Sequence, residues 1–119
     1  MARRTFQLAL AEILDEIAWI QQQVAGKDFD HFVADRQLRY AVERSIEIIS
    51  EASRRIPDAV KATQPAINWK AIAGVGNVMR HDYHAISPTI IWNALDVELP
   101  PLKAAVKAIA AALPPETAE

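Results

Sequence analysis

The spacing of the apolar residues restricts the fold of this chain more than any other feature. Between Phe6 and Val24 they recur at intervals of three and four, which places them on one stripe of a helix. The same spacing runs from about Asp35 to Pro57, and shorter stretches begin at Trp69, after Ser87-Pro88 and after Pro100-Pro101. The sequence therefore predicts an all-α protein, a four- to five-helix up-and-down bundle.

Helix breakers are few, and they fall between these stretches. The chain has 3 glycines and 7 prolines, so long segments of good helix formers remain uninterrupted. We expect Gly26 to end the first helix, Asn68 and Ser87 to cap the starts of two later helices, and Pro100-Pro101 to kink or interrupt the fourth. Residues 26–32 are interpreted as a loop with Phe29 and Phe32 packed beneath it, and residues 57–68 as a connector.

Length and composition predict one domain over residues 1–119, with a flexible tail from about residue 114. Hydrophobic residues make up 51% and charged residues 24%, which is typical of a folded protein. The first residues lack the apolar core of a signal peptide, and no apolar run approaches the length of a membrane span. We therefore expect a cytoplasmic protein without membrane contact.

Two absences narrow the possible chemistry. The chain has no cysteine, which excludes disulfides, thiolate metal sites, iron–sulfur clusters and thiol nucleophiles. Its formal net charge is −2, so it lacks the overall basic field that drives bulk nucleic-acid binding. Any contact with RNA must use a local patch.

The densest polar cluster lies where the third helix runs out, and it comprises Asn77, Arg80, His81, Asp82, Tyr83 and His84. In helical geometry, spacings of three and four would bring an amide, a guanidinium and an imidazole together. An imidazole can take the 2′-hydroxyl proton of RNA or protonate the leaving oxygen, and a guanidinium can neutralise charge on the phosphorus in the transition state. The cluster is a candidate site for RNA cleavage that needs neither a metal nor another cofactor.

The same residues also have ordinary structural interpretations. A His beside an Arg at a helix end is common on solvated surfaces, and a tyrosine such as Tyr83 is often half-buried packing. A metal site at His81, Asp82 and His84 is disfavoured because these positions lie on different sides of a helix. Gly74 and Gly76 fit close helix packing or room for a phosphate or a partner backbone. His31 is interpreted as surface, and the tryptophans as core or dimer-interface anchors: Trp19, Trp69 and Trp92.

Residues 26–56 and 67–103 carry a wider pattern. It includes GKDF-x-x-F before helix two, Ala-Val-Glu-Arg and Ile-Ile-Ser-Glu-Ala within it, and a Trp that begins helix three. It continues with Asn-x-x-x-His-x-Tyr, an Ile-Trp pair and Leu-Pro-x-Leu. Over about 90 of the 119 residues the chain resembles the HepT-like family of the HEPN superfamily.

The resemblance implies a homodimeric helical bundle that acts as the toxin of a type VII-like toxin–antitoxin pair. Such a toxin cuts RNA without a metal at a composite site in the dimer interface, and a minimal nucleotidyltransferase serves as its antitoxin. The family motif is an Arg, four to six residues, then His-x-Tyr. His81 and Tyr83 match its end, whereas Gly76 stands at the nearest position for the Arg, and Val75 and Gly74 at the others.

Two functions follow as hypotheses. In the first, the protein is an endoribonuclease with His81 as general base or acid, Arg80 as the displaced phosphate cation and Asn77 as a positioning amide. Tyr83 then positions the substrate and accepts AMP from the antitoxin, while Arg54 and Arg55 are possible phosphate contacts. The alternative is a non-catalytic HEPN dimer that binds a nucleotidyltransferase or a nucleotide. Trp69, Trp92 and the glycine-bearing third helix are expected to offer apolar surface for the dimer.

Overall fold

The computed structural model describes the backbone of residues 2–81 and 87–113 and the side chains of residues 6–79 and 87–113. Within these ranges the regular structure is entirely helical, and five of its seven helices have ten or more residues. They are α1 (Ala2–Val24), α2 (Phe29–Ala34), α3 (Arg36–Ser53), α4 (Asp58–Lys61), α5 (Trp69–His81), α6 (Pro88–Val97) and α7 (Leu99–Ala112). The predicted all-α bundle is confirmed.

Helix α1 lies at the centre of the apolar core and contacts both α3 and α7. The stripe predicted on α1 faces inward, because Ile13, Ile17 and Ile20 are fully buried. Helix α3 begins where the pattern indicated, at the N-cap Asp35, whose carboxylate accepts a hydrogen bond from the Leu38 amide at 3.0 Å. Its other neighbours are α5 and α2, so α3 connects the core to the predicted site.

The segment interpreted as a loop around Phe29 and Phe32 contains helix α2. Its N-cap Asp28 accepts a hydrogen bond from the His31 amide at 2.9 Å. Phe32 is fully buried, and its ring lies 5.1 Å from that of Trp92, centroid to centroid. Burial of this aromatic side chain stabilises a helix that is too short to persist alone.

Pro88, Pro100 and Pro101 lie in the first turns of helices. Ser87 caps α6 by accepting a hydrogen bond from the Ile90 amide at 3.2 Å, as predicted. Pro100 and Pro101 lie in the first turn of α7, where the missing amide hydrogens need no intrahelical partner. The chain is therefore interrupted between α6 and α7, one of the two outcomes that the sequence allowed.

None of the helices in the described part of the chain combines the length and the apolar character that a membrane crossing requires. The predicted cytoplasmic location remains a prediction.

Candidate functional site

Helix α5 carries the predicted motif as far as His81. It begins at Asn68, whose side-chain oxygen accepts a hydrogen bond from the Ala71 amide at 3.1 Å, so the predicted cap is confirmed. Its helical backbone continues through positions 77, 80 and 81, the spacing that brings neighbours together on a helix surface. The side chains of Arg80 and His81, and residues 82–86 with Asp82, Tyr83 and His84, lie outside the described residues. Their roles remain predictions.

The two sides of α5 have different environments. Trp69, Gly76 and Met79 are buried, whereas Gly74 and Asn77 are exposed. Along the backbone of α5, position 81 follows position 77 by about one helical turn.

An apolar cavity of about 210 Å³ lies beside α5. Glu98 is its one charged lining residue among those described, and Ile90 at its edge is 58% exposed. The remaining lining residues come from four helices: Ile46, Ile49, Ala71, Ile72, Val75, Met79, Ile91, Ala94, Leu95, Leu99 and Leu102. The motif helix therefore has an apolar region on one flank.

The two glycines of α5 have different surroundings. Gly76 is buried, and its amide donates a hydrogen bond of 3.1 Å to the hydroxyl of Ser50 on α3. This contact supports close helix packing as the reason for glycine at the motif's arginine position. Gly74 is exposed, and a Cβ added there would meet nothing within 4 Å. Packing does not explain Gly74, so room for a phosphate or a partner backbone stays open for that residue.

The two candidate arginines near the end of α3 both have protein partners. Arg54 donates from Nε and Nη2 to the carbonyl oxygen of Ala73, at 3.1 and 2.7 Å, and its Nη1 lies 3.8 Å from a Glu51 carboxylate oxygen. Arg55 forms an ion pair with Glu12 of α1. Ala73 precedes His81 by eight residues, about 12 Å along a helix axis. A role for these arginines in binding phosphate remains a prediction.

Ser50 is the residue of this region that sequence reasoning missed. Ser50 lies on α3 and its side chain is buried. Its hydroxyl donates a hydrogen bond to the Ala73 carbonyl at 3.0 Å and accepts one from the Gly76 amide. Ser50 and Arg54 are four residues apart, a spacing that indicates a shared face of α3. That spacing was the available signal, although it could not identify Ala73 as their acceptor.

Among residues 6–79 and 87–113, no three His, Asp or Glu side chains converge as a metal site would require. The possible ligands His81, Asp82 and His84 lie outside those ranges. The chemistry that the sequence predicts at the C-terminal end of α5 therefore stays a prediction.

Comparison with known proteins identifies the family. Residues 13–109 match the model of the family described as "Ribonuclease HepT-like". A protein of Caldanaerobacter subterraneus subsp. tengcongensis named "Putative RNase" is 36% identical over 84% of this chain and 89% of its own length. A Thermococcus cleftensis protein named "Probable ribonuclease HepT" is 30% identical over 85% of this chain and 92% of its own.

A Methanocaldococcus jannaschii protein, also named "Putative RNase", is 29% identical over 92% of this chain and its own entire length. No solved structure gives a significant match. The family match covers most of the chain and includes α5 with its motif. By its helices, its motif and these relatives, this chain belongs to the HepT-like ribonuclease family.

Proposed function

We propose that this protein is the endoribonuclease toxin of a toxin–antitoxin pair and cuts RNA at the C-terminal end of α5 without a metal. The observation that carries the proposal is the helical path of α5 to His81, with Asn77 exposed one turn earlier. Membership of the HepT-like ribonuclease family supports RNA as the substrate.

The reaction needs one proton acceptor, one proton donor and one cation. His81 takes the proton of a ribose 2′-hydroxyl, and the 2′-oxygen then attacks the adjacent phosphorus. The bond from phosphorus to the 5′-oxygen breaks, and the leaving oxygen receives a proton from an imidazolium, either His81 or its counterpart in a second copy. Arg80 stabilises the negative charge on the phosphorus, Asn77 orients the phosphate, and Tyr83 positions the substrate.

The replacement of the motif arginine by Gly76 gives Arg80 its role. Position 76 lies at the contact with α3, where the Ser50 hydroxyl approaches the backbone. Position 80 follows by one turn of the same helix and is adjacent to His81. An arginine at position 80 keeps the site's cation within one turn of the family position and next to His81 in the sequence.

The active form in this proposal is a homodimer with a composite site. Trp69 does not supply the apolar surface expected of it, because it is only 9% exposed and its indole donates to the Lys61 and Gln64 carbonyls. The dimer instead has support from two exposed apolar side chains, Val78 at 40% exposed and Ile90 at 58%, of which Ile90 lines the apolar cavity. Sedimentation at micromolar concentration tests this form, and a monomer there would contradict the composite site.

The antitoxin is a minimal nucleotidyltransferase that adds AMP to Tyr83. The added group brings negative charge and bulk next to His81, which excludes an RNA phosphate. Mass spectrometry of the toxin after incubation with the nucleotidyltransferase and ATP tests this step, and an unmodified Tyr83 would contradict it.

Cleavage of one RNA by four proteins tests the ribonuclease proposal: wild type, His81→Ala, Arg80→Ala and Arg44→Ala. We expect His81→Ala and Arg80→Ala to lose at least about a hundredfold in rate, as with other charge-stabilising groups. Arg80→Lys should recover only part of the rate, since an ammonium lacks the planar two-pronged contact. Arg44, exposed on α3 and paired with Glu47 at 3.0 Å, is the control, and its variant should keep full activity.

Activity should also persist in EDTA, because the imidazole transfers the protons and the guanidinium stabilises the charge on the phosphorus. Cleavage that survives both the His81 and Arg80 substitutions would overturn the proposed site, and cleavage that stops in EDTA would overturn metal independence. The alternative, a non-catalytic dimer that binds a nucleotidyltransferase or a nucleotide, is favoured by one observation, the Gly76 at the arginine position. It would be supported by a wild type that cuts no RNA but binds the partner.

A further inference from the structure

The contact between α3 and α5 depends on the backbone of α5 as well as on side chains. The Ser50 hydroxyl, on a residue only 1% exposed, bridges two backbone groups of α5. It accepts from the Gly76 amide at 3.1 Å and donates to the Ala73 carbonyl at 3.0 Å. One buried hydroxyl of α3 is therefore bonded to a donor and an acceptor of α5.

Arg54, one turn further along α3, adds two hydrogen bonds to the same Ala73 oxygen, at 3.1 Å from Nε and 2.7 Å from Nη2. Three donors from α3 thus converge on one carbonyl. In an α-helix the carbonyl of residue 73 is also the intrahelical acceptor for the amide of residue 77. The Ala73 oxygen, which accepts the hydrogen bonds from α3, is therefore also the helical acceptor for the Asn77 amide.

The hydrogen bonds from Ser50 and Arg54 are not needed merely to hold α3 and α5 together. Apolar side chains of α3 already form the core, with Val42 fully buried and Ile49 3% exposed. Apolar contacts are non-directional, whereas hydrogen bonds restrict both distance and angle. A bridge to two backbone groups therefore limits both the rotation of α5 about its axis and its sliding along α3.

We propose that Ser50 and Arg54 are positioning residues of the ribonuclease site, which act through the backbone of α5 to fix where Asn77 and His81 point. The inference rests on the proposed function and extends it to residues on another helix. Gly76 is part of the same arrangement, because its buried amide donates to the Ser50 hydroxyl. In this role Arg54 binds α5 at Ala73, about 12 Å along the helix axis from His81. It affects catalysis without contacting the reacting phosphate.

Matched substitutions separate positioning from general stabilisation. Ser53 is the control for Ser50, because it is fully buried on the same helix but its hydroxyl donates at 2.7 Å to the Ser50 carbonyl, within α3. Arg44 is the control for Arg54. We expect Ser50→Ala and Arg54→Ala to lower kcat by roughly ten- to a hundredfold, since misplacement by about 1 Å can cost a hundredfold.

The KM for RNA should change less than about threefold in Ser50→Ala and Arg54→Ala, since positioning affects the chemical step more than binding. Ser53→Ala and Arg44→Ala should keep wild-type kcat. Arg54→Lys, which retains a donor and folds more readily than a truncation, should recover part of the lost rate. An Arg54→Ala variant with raised KM and unchanged kcat would show direct phosphate binding and overturn the positioning role.

Nuclear magnetic resonance provides a readout independent of cleavage. The backbone amides of Asn77 and His81 should shift in Ser50→Ala and Arg54→Lys but not in the two controls, and the Gly76 amide should exchange faster with solvent in Ser50→Ala. If the wild type cuts no RNA, the ribonuclease proposal fails while these spectra still decide whether Ser50 and Arg54 position α5. Unmoved amides, or equal loss of kcat in Ser50→Ala and Ser53→Ala, would overturn the inference.

Discussion

Helix α3 makes two different contacts, one with α1 and one with α5. Ile13 and Ile17 of α1 and Val42 of α3 are fully buried. The contact with α1 also has a polar bond, from the buried Ser45 hydroxyl to the Glu16 carboxylate at 2.5 Å. The contact with α5 includes a serine hydroxyl that is hydrogen-bonded to the backbone at Gly76. Both contacts therefore include a buried serine of α3. Among the described residues, only the polar face toward α5, with Ser50 and Arg54, bonds to a backbone donor as well as a backbone acceptor of the neighbouring helix.

This difference indicates that the contact with α1 mainly stabilises the fold, whereas the contact with α5 mainly fixes the orientation of α5. Burial of apolar area supplies most of the free energy of folding and tolerates small rotations of the helices. Hydrogen bonds to the backbone of a neighbouring helix contribute less free energy than apolar burial, but they permit only one orientation of that helix. Changes on the α1 side should lower stability, and changes on the α5 side should lower activity out of proportion to stability.

The largest effect is expected in the apolar core on α1, where Ile17 is fully buried. Ile17→Ala should lower the free energy of unfolding by about 2–5 kcal/mol, through lost burial and the cavity left behind, whereas Ile17→Val should cost about 0.5–1.5 kcal/mol. Urea denaturation measures both values. Cleavage per folded molecule should stay at the wild-type rate, and a large loss of kcat in Ile17→Val would show that the two faces of α3 are not separable.

The glycines of α5 offer a sharper comparison with smaller effects. Gly76→Ala places a methyl group at the buried contact with Ser50, and we expect it to destabilise the fold by about 1–3 kcal/mol. Gly74→Ala adds a Cβ in open space and should stabilise by up to about 1 kcal/mol through helix propensity. Thermal denaturation distinguishes the two.

A Gly76→Ala variant as stable as wild type would contradict the close packing. Activity assays on Gly74→Ala add a second result, because this residue lies on the exposed side of α5 with Asn77. A raised KM in a stabilised Gly74→Ala protein would mean that RNA or a second copy approaches the backbone there.

The sequence predicted the long helices and their starts because periodicity and capping are local properties. The stripe from Phe6 to Val24 corresponds to α1, and Asn68 and Ser87 cap the helices expected of them. Helix α2 escaped prediction because six residues carry too little pattern, and its stability depends on the burial of Phe32 in the assembled core.

The same distinction, between local features and contacts distant in sequence, applies to the site. The helical run from Asn77 to His81 followed from spacing. The resemblance to the family motif indicated that Gly76 stands where an arginine is usual. The bridge from Ser50 to Gly76 could not be predicted, since it joins residues 26 positions apart and depends on how far α5 slides along α3. Register between helices is set by the packed side chains of both, which the pattern of one helix does not contain.

The smallest predicted effect concerns pH and the polar face of α3. Glu43 precedes Ser50 by seven residues and Arg54 by eleven, so it lies on the same stripe of the helix. Burial raises the pKa of the Glu43 carboxyl, the Arg39 guanidinium opposes that change, and the negative charge of Glu47 adds to it. The fold therefore binds the Glu43 proton more tightly than the unfolded chain does.

The direction of the pH effect follows from this difference in proton binding. Below the unfolded pKa, about 4.3, the carboxyl is protonated in both states and Glu43 carries no ionisation penalty. As pH rises through the window between the unfolded and the raised folded pKa, the unfolded chain loses its proton first, so stability falls. At neutral pH the ionised Glu43 destabilises the fold.

Glu43→Gln should therefore stabilise the protein at pH 7, by up to about 0.5 kcal/mol because the residue is only partly buried. This advantage over wild type should shrink as the pH is lowered toward 4, and denaturation midpoints at both pH values measure it. Glu47→Gln is the comparison: it removes the charge that repels Glu43 but also breaks the pair with Arg44 at 3.0 Å, so its gain at pH 7 should be smaller than that of Glu43→Gln. A Glu43→Gln protein less stable than wild type at pH 7 would mean that the Arg39 charge outweighs burial, and that this part of α3 is held by an ion pair.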